Sequence, residues 1–201
     1  MLEESLRIFW MFFLLGSAVS AEQVEPWKVI ASLTGDWSDN AFIDRAVLVE
    51  VEDAQVGPVL DLIIYAENSD TYEFEEVARI HDVAWQGRMW GTHATMNLNE
   101  AGSIQIISGN EAIGRGRWHE ILTIAYRDGA YRVAGYYNDW YDTLDLEQNG
   151  ACDLNYLNGK GEVEFGEGET KTFTHTIPAL ELSQWDRSES SAECRKYLPQ
   201  P

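Results

Sequence analysis

Basic residues are scarce in this sequence. Its 201 residues contain 14 Lys and Arg against 34 Asp and Glu, a formal net charge of −20. A surface with that charge repels phosphate backbones, so we expect no nucleic-acid partner. Proline is also rare, at five residues, and the 16 glycines follow no collagen-like or low-complexity pattern. Because 45% of the residues are hydrophobic, we expect a packed core in a single domain.

The sequence also lacks the short motifs of common enzyme classes, such as HExxH, Gly-x-Ser-x-Gly, GxGxxG and the P-loop. His81-Asp82 and His119-Glu120 each place a carboxylate beside an imidazole, but neighbouring side chains of a strand face opposite ways and cannot act together. Carboxylates are so numerous that a pair suited to glycoside hydrolysis could be found almost anywhere. We therefore predict no catalytic residue, and an envelope glycan or peptidoglycan hydrolase is the alternative function.

Long hydrophobic runs are missing except near the N-terminus. Residues 8–15 are all apolar, a run too short to span a bilayer, which takes about 20 residues. This run fits a signal peptide with a small-residue cleavage site at 19–21, although its n-region carries a single basic side chain. We predict a signal peptide at 1–21 and a mature β-rich domain at 22–201 that has no membrane span and is periplasmic or secreted. The alternative is a buried N-terminal helix.

The sequence contains only two cysteines, Cys152 and Cys194. An even number of cysteines in an exported chain favours a disulfide, and the alternative is two free buried thiols in a reducing cell. Neither a CxxC motif nor a Cys/His zinc pattern occurs. We predict a Cys152–Cys194 bond that ties the C-terminal tail to the strand region near residue 152.

β-type patterning is abundant. The stretch 72–85 fits either a strand or a short helix, and an Asp128-Gly129 pair between β-rich runs is a strong hairpin signal. One short helix is predicted at 191–198. The sequence thus predicts a mostly β protein, a single antiparallel β domain built as a sandwich or a blade-like meander with few short helices. The predicted strands lie at 46–51, 60–66, 103–108, 119–126 and 130–137 and within 161–177.

The segment 35–48 places oxygen-bearing groups at alternate positions of a tight loop. Hard cations such as Ca²⁺ bind several oxygen ligands of this kind, so a Ca²⁺ site is one hypothesis for this loop. The alternative is an ordinary turn in which the same side chains accept hydrogen bonds from backbone N–H groups. The candidate ligands are the side chains of Asp36, Ser38, Asn40 and Asp44 and the carbonyl of Phe42.

This loop and the apolar strand after it resemble the FG-GAP or VCBS-type blade unit of bacterial surface proteins and integrin-like propellers. The family pattern is Gly-Asp-aromatic-Asn-Gly-Asp-Gly-x-x-Asp, and the chain departs from it at Ser38, Asn40 and Ala41. The resemblance implies a blade-like local fold and a weak cation loop with two carboxylates. The chain also resembles a group of exported proteobacterial proteins with no known activity, which implies an exported β fold. The stretches that carry this second likeness are 117–129, 152–155, 159–161 and 184–195.

Aromatic residues are plentiful, and they are dense at 136–142. Alternation along a strand would turn half of these rings outward, where they could stack on sugars or anchor a protein partner; the alternative is that they fill the core. The leading interpretation is a non-catalytic exported domain that binds a protein or glycan partner in the cell envelope, with an acidic inhibitor or immunity-type protein as a special case. The candidate binding residues are Tyr136, Tyr137, Asp139, Trp140 and Tyr141.

Overall fold

The structure, a computed structural model, describes residues 25–196 except 167 and 169. The predicted signal peptide at 1–21 therefore lies outside the described residues, as do both ends of the predicted domain at 22–201. The described part of the chain forms eleven strands, one α-helix and two short 3-10 helices. All strand pairs are antiparallel and form one sheet of four strands and one of seven, so the predicted single antiparallel β domain is confirmed.

The four-stranded sheet is a meander in the order β1-β2-β3-β4. The runs predicted at 46–51 and 60–66 are the centres of its second and third strands. The ambiguous stretch 72–85 forms a strand over 74–84, because the neighbouring strand offers it a partner edge from residue 60 to residue 67. The strands are β1 (Val29–Gly35), β2 (Asp44–Asp53), β3 (Gly57–Glu67) and β4 (Phe74–Ala84).

The seven-stranded sheet is a second meander, in the order β11-β10-β9-β8-β7-β6-β5. Its longest strands form the predicted hairpin, which turns at Asp128 and Gly129 with φ angles of 52° and 77°. These left-handed angles match the right-handed twist of the two strands and explain the Asp-Gly pair. The strands are β5 (Thr95–Leu98), β6 (Ile104–Asn110), β7 (Gly116–Arg127), β8 (Ala130–Asp142), β9 (Asp145–Asn155), β10 (Lys160–Phe165) and β11 (Lys171–Thr174).

The two sheets share one apolar core, which makes the domain a β sandwich. Leu48, Leu62 and Ile64 of the four-stranded sheet and Ile104 and Ile124 of the seven-stranded sheet belong to the same cluster, and none is more than 1% exposed. Burying side chains of this size contributes roughly 1.5–3 kcal/mol each. The opposite face of the seven-stranded sheet is therefore free to carry polar side chains.

The C-terminal tail is anchored on this sandwich by a helix and a disulfide. The sequence predicts the helix at 191–198, of which 197 and 198 lie outside the described residues, whereas α1 spans Arg187–Arg195 and its first residue donates a hydrogen bond to Glu120 of β7. Cys152 and Cys194 are joined by a disulfide with a Cα–Cα distance of 5.9 Å, as the sequence predicts. In the described part of the chain, no helix has the length and apolar character that a membrane crossing requires.

Candidate binding site

Strand β8 divides the five candidate binding residues between its two faces. Tyr136 points into the core and is 3% exposed. Trp140 shares that face, and its ring lies over Gly150, where a Cβ would approach it to 2.4 Å. Tyr137, Asp139 and Tyr141 alternate with them and lie on the outer face of the sheet. The structure thus brings three of the five predicted residues together on one surface.

His119 lies at the centre of this outer face, opposite Asp139 in the β7–β8 ladder. Its Nδ1 atom is 3.0 Å from Asp139 Oδ1, and its Nε2 atom is 3.0 Å from Glu111 Oε1. The imidazole is therefore held between two carboxylates. The side chain of His119 is 40% exposed and those of Glu111 and Asp139 are 32% and 34% exposed, so a partner can reach all three.

Two tyrosines hold these carboxylates in place. The Tyr137 hydroxyl donates to Asp139 Oδ2 at 3.2 Å, and the Tyr141 hydroxyl donates to Glu111 Oε2 at 3.3 Å. Desolvation raises the pKa of Tyr137, and so does the charge of Asp139. Desolvation and Glu111 raise the pKa of Tyr141 in the same way. Both hydroxyls therefore remain protonated donors at neutral pH.

A glycine makes room for the histidine. Gly109 on β6 pairs with His119, and a Cβ at that position would lie 2.8 Å from His119 Cδ2. Because real Cβ atoms do not approach so closely, a side chain at 109 would displace the imidazole. The β6–β7 turn that follows places Glu111, whose N–H donates to the carbonyl of Gly91 at 2.9 Å. We call Glu111, His119, Tyr137, Asp139 and Tyr141 the outer-face cluster.

The outer face continues across β9 and β10 as an acidic strip, formed by Asp153, Glu162 and Glu164. Asp153 pairs with Tyr137 on one side and with Glu162 on the other. Glu164 follows two positions later on the same face of β10. Desolvation, and then the like charge of Glu162, raise the pKa of Asp153. The carboxylates of the strip therefore repel one another, and a basic partner would reduce that repulsion.

Sequence reasoning identified Tyr137, Asp139 and Tyr141 but missed His119. It compared His119 only with the adjacent Glu120, which does lie on the opposite face, where its carboxylate accepts a hydrogen bond from Tyr136 at 2.8 Å. The partner of His119 lies 20 residues away, across the β7–β8 ladder. The hairpin signal predicts that β7 pairs with β8, but it does not predict the register that brings His119 to Asp139.

The aspartate at the end of the predicted cation loop acts as a cap. Asp44 is fully buried, and its Oδ2 accepts hydrogen bonds from the N–H groups of Trp37 and Ser38 at 2.8 and 2.9 Å. The Ser38 hydroxyl donates to the same oxygen at 3.0 Å. These donors supply positive partial charge to the carboxylate, as in the ordinary-turn alternative.

The other predicted ligands of this loop have the same type of contact. Asp36 accepts two backbone N–H bonds, both at 3.0 Å, from Asn40 and Ala41, and Asn40 Oδ1 accepts the N–H of Phe42 at 2.8 Å. Ser38, Asn40 and Asp44 line one cleft of about 600 Å³, whereas Asp36 lines another of about 360 Å³. Among the described residues, no group of three or more His, Cys, Asp or Glu is arranged to hold a metal ion. The Ca²⁺ site stays a prediction.

Comparison with protein-family models, with curated proteins and with solved structures gave no match in any of the three. The likeness of the 35–48 loop to blade units therefore stays a resemblance. The geometry of the outer face of the seven-stranded sheet is the basis for a functional assignment.

Proposed function

We propose that this chain is a non-catalytic exported domain that binds a basic protein through the outer-face cluster and the acidic strip. The observation that carries the proposal is the imidazole of His119 held between Glu111 and Asp139, with both carboxylates fixed by tyrosine hydroxyls. His119, Tyr137 and Asp139 stand on paired strands and Glu111 is held by a backbone hydrogen bond to Gly91, so little conformational entropy is lost when a partner binds them. An acidic inhibitor or immunity-type protein is the special case in which the partner is a toxin.

Charge supports a basic partner. The chain carries a net charge of −20, and the acidic strip adds three carboxylates next to the cluster on the same face. Complementary fields accelerate association and discriminate against acidic competitors. A glycan is the second candidate, because Tyr137 and Tyr141 present rings on this face that could stack on a sugar.

The position of His119 favours binding over hydrolysis. Both ring nitrogens have a carboxylate oxygen at 3.0 Å. A general base needs a nitrogen within hydrogen-bond reach of a substrate proton, and at either nitrogen that proton would compete with a carboxylate at 3.0 Å. The envelope hydrolase therefore has less support than the binding domain.

The proposal is tested by affinity capture from envelope extract with three matched proteins. These are the wild type, a double variant with Glu111→Gln and Asp139→Asn, and a control with Glu52→Gln, an exposed acid on β2 of the other sheet. We expect one stoichiometric basic protein to be captured by the wild type and the control and lost with the double variant. Its retention should decrease as salt is added, because exposed charges are screened.

Two results would contradict the proposal. Equal capture by the wild type and the double variant would remove the outer-face cluster from the interface. Turnover of cell-wall glycan by the wild type, abolished by Asp139→Asn alone, would establish the hydrolase instead. N-terminal sequencing of the envelope protein tests export separately, since cleavage after Ala21 is expected and an intact Met1 on cytoplasmic protein would refute it.

A further inference from the structure

Large apolar side chains are exposed together at one end of the seven-stranded sheet. Trp90 is 88% exposed and Leu144 is 78% exposed, values unusual for side chains of this size. The exposed apolar residues at this end lie on three loops. These loops are 85–94, 111–115, and 143–144 together with the first residues of β9. We call this surface the apolar tip. Its members are Met89, Trp90, Ile113, Leu144 and Leu146.

Backbone hydrogen bonds join the three loops. Glu111 N–H donates to the carbonyl of Gly91 at 2.9 Å, which ties the first loop to the second. Thr143 donates to the carbonyl of Arg115 through both its N–H and its hydroxyl, each at 3.0 Å, which ties the third loop to the second. The three loops that carry the exposed side chains are therefore adjacent at one end of the sheet.

The loops are also fixed internally. The Asn110 side-chain amide donates to the carbonyls of Ile113 and Gly116 at 2.7 and 3.0 Å. Arg115 Nε forms an ion pair with Asp142 Oδ2 at 2.6 Å, and Asn149 donates to the carbonyl of Leu146 at 2.7 Å. Because the backbone of the tip is already ordered, its apolar groups can bind a partner at a small entropic cost.

The apolar tip is continuous with the outer-face cluster. Glu111 belongs to the second loop, and its carboxylate lies against His119 and Tyr141 of the cluster. A partner that covers the cluster can therefore extend onto Trp90 and Leu144 without crossing to another part of the molecule. Trp is enriched among the residues that dominate binding energy at interface centres, and polar groups surround such centres as a rim.

We infer that the apolar tip anchors the basic protein partner by entering an apolar pocket on it. The inference rests on the proposed function and adds the chemistry of the partner, which must combine basic residues with an apolar pocket. A lipid surface fits less well, because a chain of charge −20 is repelled by anionic bilayers. Asp142 is already paired with Arg115, so the acids that favour a basic partner at this end are Glu111, Asp145 and Glu147, which outnumber Arg88 and Arg117.

The test uses two defined peptides of equal positive charge, a Lys-Leu repeat and a Lys-Ser repeat, with titration calorimetry of the full chain. Only the first peptide offers apolar groups. Trp90→Ala and Leu144→Ser remove parts of the tip, and Tyr72→Ala and Val56→Ser are matched controls, since Tyr72 and Val56 are 71% and 72% exposed on turns of the other sheet.

We expect the wild type to bind the Lys-Leu peptide more tightly than the Lys-Ser peptide, with the more negative heat-capacity change that apolar burial produces. Trp90→Ala should weaken Lys-Leu binding by about thirtyfold, the effect of losing an interface hot spot, and leave Lys-Ser binding unchanged. Both control variants should bind like the wild type. Unchanged melting temperatures will show that the variants are folded.

The inference and the proposed function fail in different ways. If Glu111→Gln with Asp139→Asn weakens binding of both peptides while Trp90→Ala weakens neither, the proposed function stands and the tip is not an anchor. Binding to vesicles of phosphatidylcholine and phosphatidylglycerol that Trp90→Ala abolishes would overturn the inference in favour of a membrane. A wild-type dimer in ultracentrifugation that Trp90→Ala dissociates would overturn it in favour of a second copy of the chain.

Discussion

Replacing Asp44 by alanine is expected to destabilise the domain strongly, because its carboxylate caps the turn before β2. One oxygen accepts three hydrogen bonds, from the N–H groups of Trp37 and Ser38 and from the Ser38 hydroxyl. Asp44 itself is 0% exposed, so an alanine at this position would leave the three donors buried without an acceptor. Asp44→Asn is the matched variant, since it keeps an oxygen acceptor in the same volume and removes only the charge.

The magnitude follows from the number of donors left without an acceptor. A hydrogen bond to a charged group contributes about 1.5–3 kcal/mol, and the three bonds share one atom, so their sum is less than additive. We expect Asp44→Ala to lower the free energy of unfolding by about 4 kcal/mol and Asp44→Asn by roughly half as much. For a chain of this size, each kcal/mol shifts the melting temperature by roughly 2–4 °C.

The assay is chemical and thermal unfolding of the three proteins in chelator, so that no metal contributes to the difference. Near-equal losses for the alanine and asparagine variants would show that charge, rather than the oxygen acceptor, matters at this position. A loss below about 1 kcal/mol for Asp44→Ala would refute the capping argument, since even one unmet buried donor costs that much.

Four other changes have expected outcomes. In oxidised protein, Cys194→Ala should lower stability by about 4 kcal/mol, because the disulfide closes a loop with a sequence separation of 42; no change after reduction of the wild type would contradict this. His81→Gln should lower the melting temperature below about pH 6.5 and have less effect as the pH rises, because the hydrogen bond that His81 donates to Asp61 raises the pKa of His81. His81 is exposed, so the loss should stay below about 1 kcal/mol, and a loss that grows with pH would oppose this reasoning. Ala41→Gly should raise stability by about 1 kcal/mol, since residue 41 has a φ of 67° that disfavours a Cβ, and a lower melting temperature would count against that strain. If the loop binds Ca²⁺, a hundredfold excess over the dissociation constant should stabilise the wild type by about 2.7 kcal/mol and leave Asp36→Ala unchanged, whereas identical wild-type melts with Ca²⁺ and with chelator would show an ordinary turn.

The strands and the disulfide could be predicted because they depend on local pattern and composition. Apolar runs at 46–51 and 60–66 have the length of buried strands, and the Asp128-Gly129 pair has the backbone angles of a tight hairpin. Strands β1 and β5 carry weaker patterns and form because a neighbouring strand offers them an edge. Pairing of this kind depends on residues distant in sequence, which local periodicity does not contain.

The sequence alone could not predict that His119 meets Asp139 in the outer-face cluster, because the β7–β8 ladder contains one irregularity. From the turn, the hairpin pairs Arg127 with residue 130 and Ile124 with residue 133, a register that would place His119 opposite Asn138. A register shift between residues 123 and 124 moves the pairing by one, so that His119 meets Asp139. A shift of one residue exchanges the two faces of a strand, and the turn does not reveal where such a bulge lies.

The sequence by itself determined the acidic charge, the β architecture and the residues available for binding. Only the tertiary structure decided which of them meet. Glu111 reaches His119 because Gly109 has no side chain, and Trp90 reaches the same end of the molecule because Glu111 pairs with Gly91. Which segments form strands depends on the local sequence pattern. Which side chains share a binding surface depends on strand register and on loop contacts between distant segments, and these are fixed only when the sheets pack.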